Sequence, residues 1–512
     1  MKLRKILVAT ALMFSMAGST VAPVFAESAI ETSKDTIIEG IEADPGTLKY
    51  NNDMDVAVEV RNYFLERLMI HDGSEYQYDL AEEITEDEGG MGVTIKLKEG
   101  VQFSTGEELK ASDVIWSMEI GREYYESLYD FVDWDNLEAV DDYTAHVPFT
   151  KETYLWRSLF CGYNSVGIYS QKAYEEAEAN GTDFWLAPVS TGEYQITEWN
   201  ADEDIRLEAN EYYRKGAPAI KNMIIRIISE SSVRLLELQT GGIDMMTGTG
   251  DTLKSAQEDE NIEIYKPNGT SVHYIGINHK SEVFKDEKVR QAIAYLVDRQ
   301  TLIDGALNGN GEVHNSMFSP SGLGYSDLEW PYEYNTEKAL ELFDEAGVDP
   351  STLTLRLVCN EGSNRPQIAE QLYNMFSAVG ITLEINTYDS ATTTDILTNS
   401  PSEFDLYLRS LGAGDGEVLG LYFSDNAVGL MNIDEGGAAE QYAEWQKLLT
   451  DAMENPDENA RKEAYIQADQ MVLDNVFWIP LYVVPNYRYT TATLKDIDVQ
   501  ANHVALYSAY FE

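Results

Sequence analysis

The chain has 512 residues, 44% of them hydrophobic and 24% charged, a balance that supports a large buried core and excludes a disordered chain. Its 36 lysines and arginines stand against 89 aspartates and glutamates, for a formal net charge of −53. A field of that sign repels nucleic acid and anionic lipid, so neither is an expected partner.

In chain order, the first 26 residues read as a secretory signal. Lys2, Arg4 and Lys5 precede an apolar stretch that ends in Val24-Phe25-Ala26, with a cut expected after Ala26. Removing those three bases leaves 33 bases against 89 acids, or −56, and length for two or three domains. No cysteine lies near the cut, so a lipid-modified N-terminus is not expected. Cys161 and Cys359 are the only cysteines, nearly two hundred residues apart, and are expected to be free thiols. The apolar run from Val476 to Pro485 contains two prolines and suits a buried strand, not a membrane span.

Helix-period and strand-period segments alternate through the rest of the chain, which predicts an α/β architecture. Strands are predicted at 93–97, 204–208, 223–228, 272–278, 353–358 and 382–387. Helices are predicted at 113–121, 231–241, 286–296, 336–346, 367–379 and 438–452. In the helix from Asp286, Val289, Ile293, Leu296 and Val297 share one face and Asp286 caps the free amides. Gly347 and Gly380 sit where two helices must stop, as left-handed C-terminal glycines would.

The sequence offers little chemistry. It has no G-x-S-x-G elbow, H-E-x-x-H, Walker loop or G-x-G-x-x-G. Asp133-Trp134-Asp135-Asn136 starts like a calcium loop but lacks the sixth-position glycine and the closing glutamate. His273 and His279 share a predicted strand face, yet six residues of strand separate them by about 20 Å, too far to share a metal. No catalytic residue, metal or cofactor is expected.

One stretch has a recognisable order. "LKEGVQFSTGEELKASDVIWSME" combines a strand edge, a tight turn at Ser104-Thr105-Gly106 and an amphipathic helix. It resembles the signature of the family-5 extracellular solute-binding proteins, the oligopeptide- and dipeptide-binding components of ABC importers. Thr105 replaces the family's turn Asp and Lys110 its capping Thr. Loss of that cap should cost about 1 kcal/mol, with Ser112 or water covering part of it. "EADPGTLKYN", "LLELQTGGIDM", "GINHKSEVFKDEKVRQAIAYLVDRQTLIDGAL", "NTEKALELFDEAGV" and "FWIPLY" are similar to further family elements, in the family's order.

The resemblance implies a two-lobed, periplasmic-binding-protein-like (type II) α/β fold of three domains around a hinged cleft. One lobe would join a first domain (27–65, 187–281 and 481–512) to an inserted second domain (66–186). The other lobe would be a third domain, 282–480, with hinge strands near Gly276–Lys280 and Ile479–Val483. It implies a monomer, not an enzyme, that is exported to the periplasm or cell surface, captures peptides and hands them to ABC permease subunits. The implied ligand contacts are Asp415 for a peptide ammonium, Arg365 and Arg409 for a carboxylate, an aromatic wall at Tyr124, Tyr125 and Tyr129, and backbone from Met54 to Val56. Leu411 stands where the family has a Trp before that Asp. This departure keeps open a second cargo class on the same fold: a chelated metal, haem, an opine or a short saccharide. A chemosensory receptor and a secreted hydrolase are more distant alternatives.

Overall fold

The computed structural model describes residues 32–512 except 53, 72–75, 162–164, 268, 270, 321, 363, 413–435 and 501–502. The expected signal at 1–26 and Asp415 therefore lie outside the described residues. Three sheets organise the chain. The largest has seven strands, in the order Ile262–Tyr265, Arg488–Thr491, Met245–Thr247, Thr36–Ile41, Asn222–Ile227, Asp204–Ala209 and Tyr194–Asn200. A six-stranded sheet runs Glu312–Val313, Trp478–Val483, Ser271–Ile277, Leu406–Gly412, Thr354–Asn360 and Thr382–Tyr388. A four-stranded antiparallel sheet runs Ala81–Glu86, Gly92–Leu97, Thr144–Pro148 and Glu138–Ala139. Its segment leaves the seven-stranded unit after the helix Asp55–Arg61 and returns at Tyr194.

The predicted elements are present, with ends that move by a residue or two. Asp286 accepts from the Lys288 N–H and caps the helix Glu287–Tyr295. The fixed stops are real: Gly347 has φ 70° and Gly380 φ 94°, both left-handed. The strand Trp478–Val483 is buried at all six positions, as its apolar run requires. Its neighbour Ser271–Ile277 is held on both edges, and Asn278 at its end donates to the carbonyls of Pro401 (2.6 Å) and Phe404 (2.8 Å).

The signature stretch builds the corner of the four-stranded unit. Gly106 has φ 81°, a left-handed conformation that favours glycine at this turn. The helix Ala111–Ile120 is not capped by Ser112. Asp113 does it, accepting from the Lys110 N–H at 3.0 Å and from the Gln171 N–H at 3.2 Å. Lys110 cannot accept; its ammonium instead donates to Tyr143 (2.6 Å) and Glu108 (2.9 Å). Val114 and Met118 fill the core beneath.

The two expected hinge segments fall elsewhere than the chain crossings. Gly276 lies inside the strand Ser271–Ile277, and Ile479–Val483 lies inside Trp478–Val483, both in the six-stranded sheet. A central strand locked by two ladders cannot serve as a hinge. The chain passes between the two larger sheets at 266–270 and 484–487. Gly269 packs there on the Val484 carbonyl, so closely that a Cβ would stand 2.1 Å from the oxygen. No disulfide joins the two cysteines: Cys359 is buried and Cys161 half-buried.

Candidate functional site

Strand direction sets where a ligand can lie. In the six-stranded sheet Ser271 pairs with Gly412 and Val272 with Val483, so Ser271–Ile277 begins where Leu406–Gly412 and Trp478–Val483 end. The parallel strand Thr354–Asn360 ends on that same edge. In the seven-stranded sheet Thr36–Ile41, Asn222–Ile227 and Met245–Thr247 run parallel, and Thr247 and Tyr265 both pair with Arg488. The carboxyl ends of both sheets thus meet at the two short crossings. A crevice outside strand carboxyl ends is where open α/β sheets receive ligands.

On the six-stranded side of this edge is a small recess lined by His273, Tyr274, Arg365, Ile368, Leu408, Arg409, Leu481 and Tyr482. Arg365 enters it because Asn364 turns left-handed, φ 55°, and starts the helix Arg365–Ser377 just past the strand end. Only 9% exposed, Arg365 donates to Asn360 Oδ1 (2.6 Å), the Gly362 carbonyl (3.4 Å) and Ser410 Oγ (2.9 Å). Its Nε is buried without a partner, and no carboxylate pairs with it among the described residues. Burial, with Arg409 adding to it, lowers the Arg365 pKa. His273 stacks on Tyr482, centroids 4.6 Å apart, and burial plus the Arg365 charge bring its pKa down to about 3, so it stays neutral. The recess is rich in donors and poor in acceptors. A buried guanidinium without a counter-charge is costly and calls for an anion, best a carboxylate that it can grip with two bonds.

The remaining expected contacts are placed differently. Arg409 is half-buried on the strand paired with Tyr274, so the structure brings Arg365 and Arg409 to one recess. Tyr125 is a core residue, 1% exposed, with its hydroxyl directed at the Ser165 carbonyl (3.4 Å). Tyr129 is likewise buried, bonding the Ser158 carbonyl. Tyr124 and Tyr50 are half-buried over Tyr125. Met54–Val56, the expected backbone contact, lies at the start of a helix. Met54 begins the helix Asp55–Arg61: its carbonyl accepts from Ala57 and Val58, its N–H donates to Asn52, and Val56 is 4% exposed. His273 and Tyr482 were not anticipated as recess residues, because nothing local in the sequence reveals cross-strand neighbours.

Two α/β units joined by two short crossings, with a buried arginine near the carboxyl ends of the strands, make the fold of a solute-binding protein. The chain belongs to the bacterial extracellular solute-binding proteins, family 5, whose model matches residues 75–426. It is 26% identical over 443 residues to the oligopeptide-binding protein AppA of Bacillus subtilis, covering 81% of this chain and 80% of that one. It is 25% identical over 428 residues to heme-binding protein A of Haemophilus influenzae, covering 78% and 77%. The periplasmic binding protein DppA of Helicobacter pylori, solved with the peptide STSA, superposes with a TM-score of 0.72 at 21% identity, over 93% of this chain and 98% of that one. No helix among the described residues is long and apolar enough to cross a membrane.

Proposed function

We propose that this protein captures short peptides between its two lobes outside the cytoplasm and delivers them to the permease of an ABC importer. The observation that carries the reading is Arg365, a buried guanidinium in a donor-rich recess that no carboxylate among the described residues pairs with. A peptide's terminal carboxylate supplies the missing charge, and Asp415, in the adjoining segment, receives the ammonium at the other end. The peptide-binding relatives support this cargo. The units that close on it are the seven-stranded unit with the four-stranded one appended, against the six-stranded one, turning at 266–270 and 484–487. Closure follows the ligand only as far as it touches both sides. The protein acts as a monomer outside the cytoplasm and leaves the peptide unchanged.

The haem-binding relative, together with Leu411 in place of the family's Trp, favours a second reading in which the same recess holds the propionate or carboxylate of a non-peptide solute. Thermal-shift screening separates the two. Peptides with a free C-terminus should raise the melting temperature and their C-terminal amides should not, whereas stabilisation by haem or metal chelates alone would replace the peptide reading with the second.

A further inference from the structure

The four-stranded unit has no chain connection to the six-stranded one; its only covalent links run to the seven-stranded unit. It nevertheless touches the helix pair Ala439–Met453 and Glu458–Asp474, well away in sequence from the crossings. The Tyr154 N–H donates to the Met453 carbonyl at 3.1 Å. Met453 itself is half-buried against the core of the four-stranded unit. The Arg461 guanidinium, 1% exposed, lies 5.9 Å from the centroid of the Tyr154 ring. Glu458 stands 3.7 Å from Arg157 Nη1 and 3.9 Å from Arg461 Nη2.

Both sides of this contact are prepared for it. Arg157 is held between Trp156 and Tyr76, 4.8 and 5.6 Å from the two centroids. Arg461 donates to the carbonyls of Asn455 (2.9 Å) and Pro456 (3.3 Å), fixing the turn that aims the Met453 carbonyl at Tyr154. The contact mixes a backbone bond, an apolar plug, a cation over a ring and an ion pair, each weak alone. Together they must part whenever the two lobes turn about the crossings.

We propose that Tyr154, Arg157, Met453, Glu458 and Arg461 form a clasp across the cleft mouth that holds the closed state without touching the solute. This rests on the two-lobed reading above but not on the identity of the cargo. The clasp populates the closed form before any ligand arrives. It therefore lowers the energy that a solute must supply to complete closure, and it slows reopening.

The test uses spin labels at the exposed positions Glu83 and Lys462 of the full chain, with Cys161 and Cys359 replaced by alanine. Distance distributions are recorded without ligand by pulsed electron resonance. The unaltered clasp should give a short-distance population. R157M and E458Q should each reduce the ratio of short to long distances by about two- to five-fold, and the double variant should reduce it no further than E458Q alone. A ratio that none of these variants moves overturns the clasp. A single short distance in every variant overturns it too, because the joint is then permanent. No solute enters the measurement, so failure to bind peptides does not affect its outcome.

Discussion

Replacing Arg365 with methionine should separate binding from stability. Among the described residues the guanidinium makes three hydrogen bonds, all to neutral acceptors, and Nε is buried without a partner. A buried charge without a counter-charge contributes little to folding, and exchange for an apolar side chain of similar volume is often neutral or stabilising. Asn360 keeps its bonds to Gly362 and Ser390. Folding free energy should therefore change by no more than about 1 kcal/mol in urea titrations. Binding should respond differently, because a peptide carboxylate brought into the recess of R365M meets no cation. Breaking a buried, hydrogen-bonded charge pair costs about 2–4 kcal/mol, or roughly 30- to 1,000-fold in Kd. Calorimetry with the best peptide from a thermal-shift screen reads this directly. R365M that binds as tightly as the parent, or loses binding only by unfolding, would refute the assignment.

Glu193 is 4% exposed, one carboxylate oxygen accepts the Leu506 N–H at 2.7 Å, and burial raises its pKa to about 8. A raised folded-state pKa means its stabilisation is complete below about 4.5 and lost as pH rises through 8, so thermal midpoints should fall between pH 5 and pH 8.5 and E193Q should flatten that fall. Asp113→Ala leaves the N–H groups of Lys110 and Gln171 unmet and should cost about 2–3 kcal/mol in urea unfolding, with Asp113→Asn recovering part of it. Gly276→Ala sets a Cβ 1.9 Å from the Tyr407 ring in a strand paired on both sides, and should cost about 3 kcal/mol or abolish soluble expression. Gly269→Ala sets a Cβ 2.1 Å from the Val484 carbonyl oxygen, a backbone atom that cannot swing aside, and should lower the melting temperature as well as slow peptide association.

The elements with strong periodicity were legible in the sequence because local pattern and burial agree, as in the helix Glu287–Tyr295 and the fully buried strand Trp478–Val483. What failed were the questions that depend on partners. Tyr124 and Tyr125 are adjacent on one short helix, and a turn of about 100° decides which is core; no residue nearby announces the choice. No sequence signal marked the helix that starts after Met54, where the Asn52 side chain receives the Met54 N–H. The crossings were misplaced because apolar strands drew attention, although each true crossing carries a Pro-Asn pair, Pro267-Asn268 and Pro485-Asn486. Arg365 was one arginine among many until the fold buried it beside His273 and Tyr482.

The account stands most directly on calorimetric titration with free di- to pentapeptides, followed by mass spectrometry of the peptide released on unfolding. It predicts saturable one-to-one binding that C-terminal amidation abolishes, and a released peptide of unaltered mass. Cleaved peptide, or saturation by haem or a metal chelate with no heat from any peptide, would contradict it.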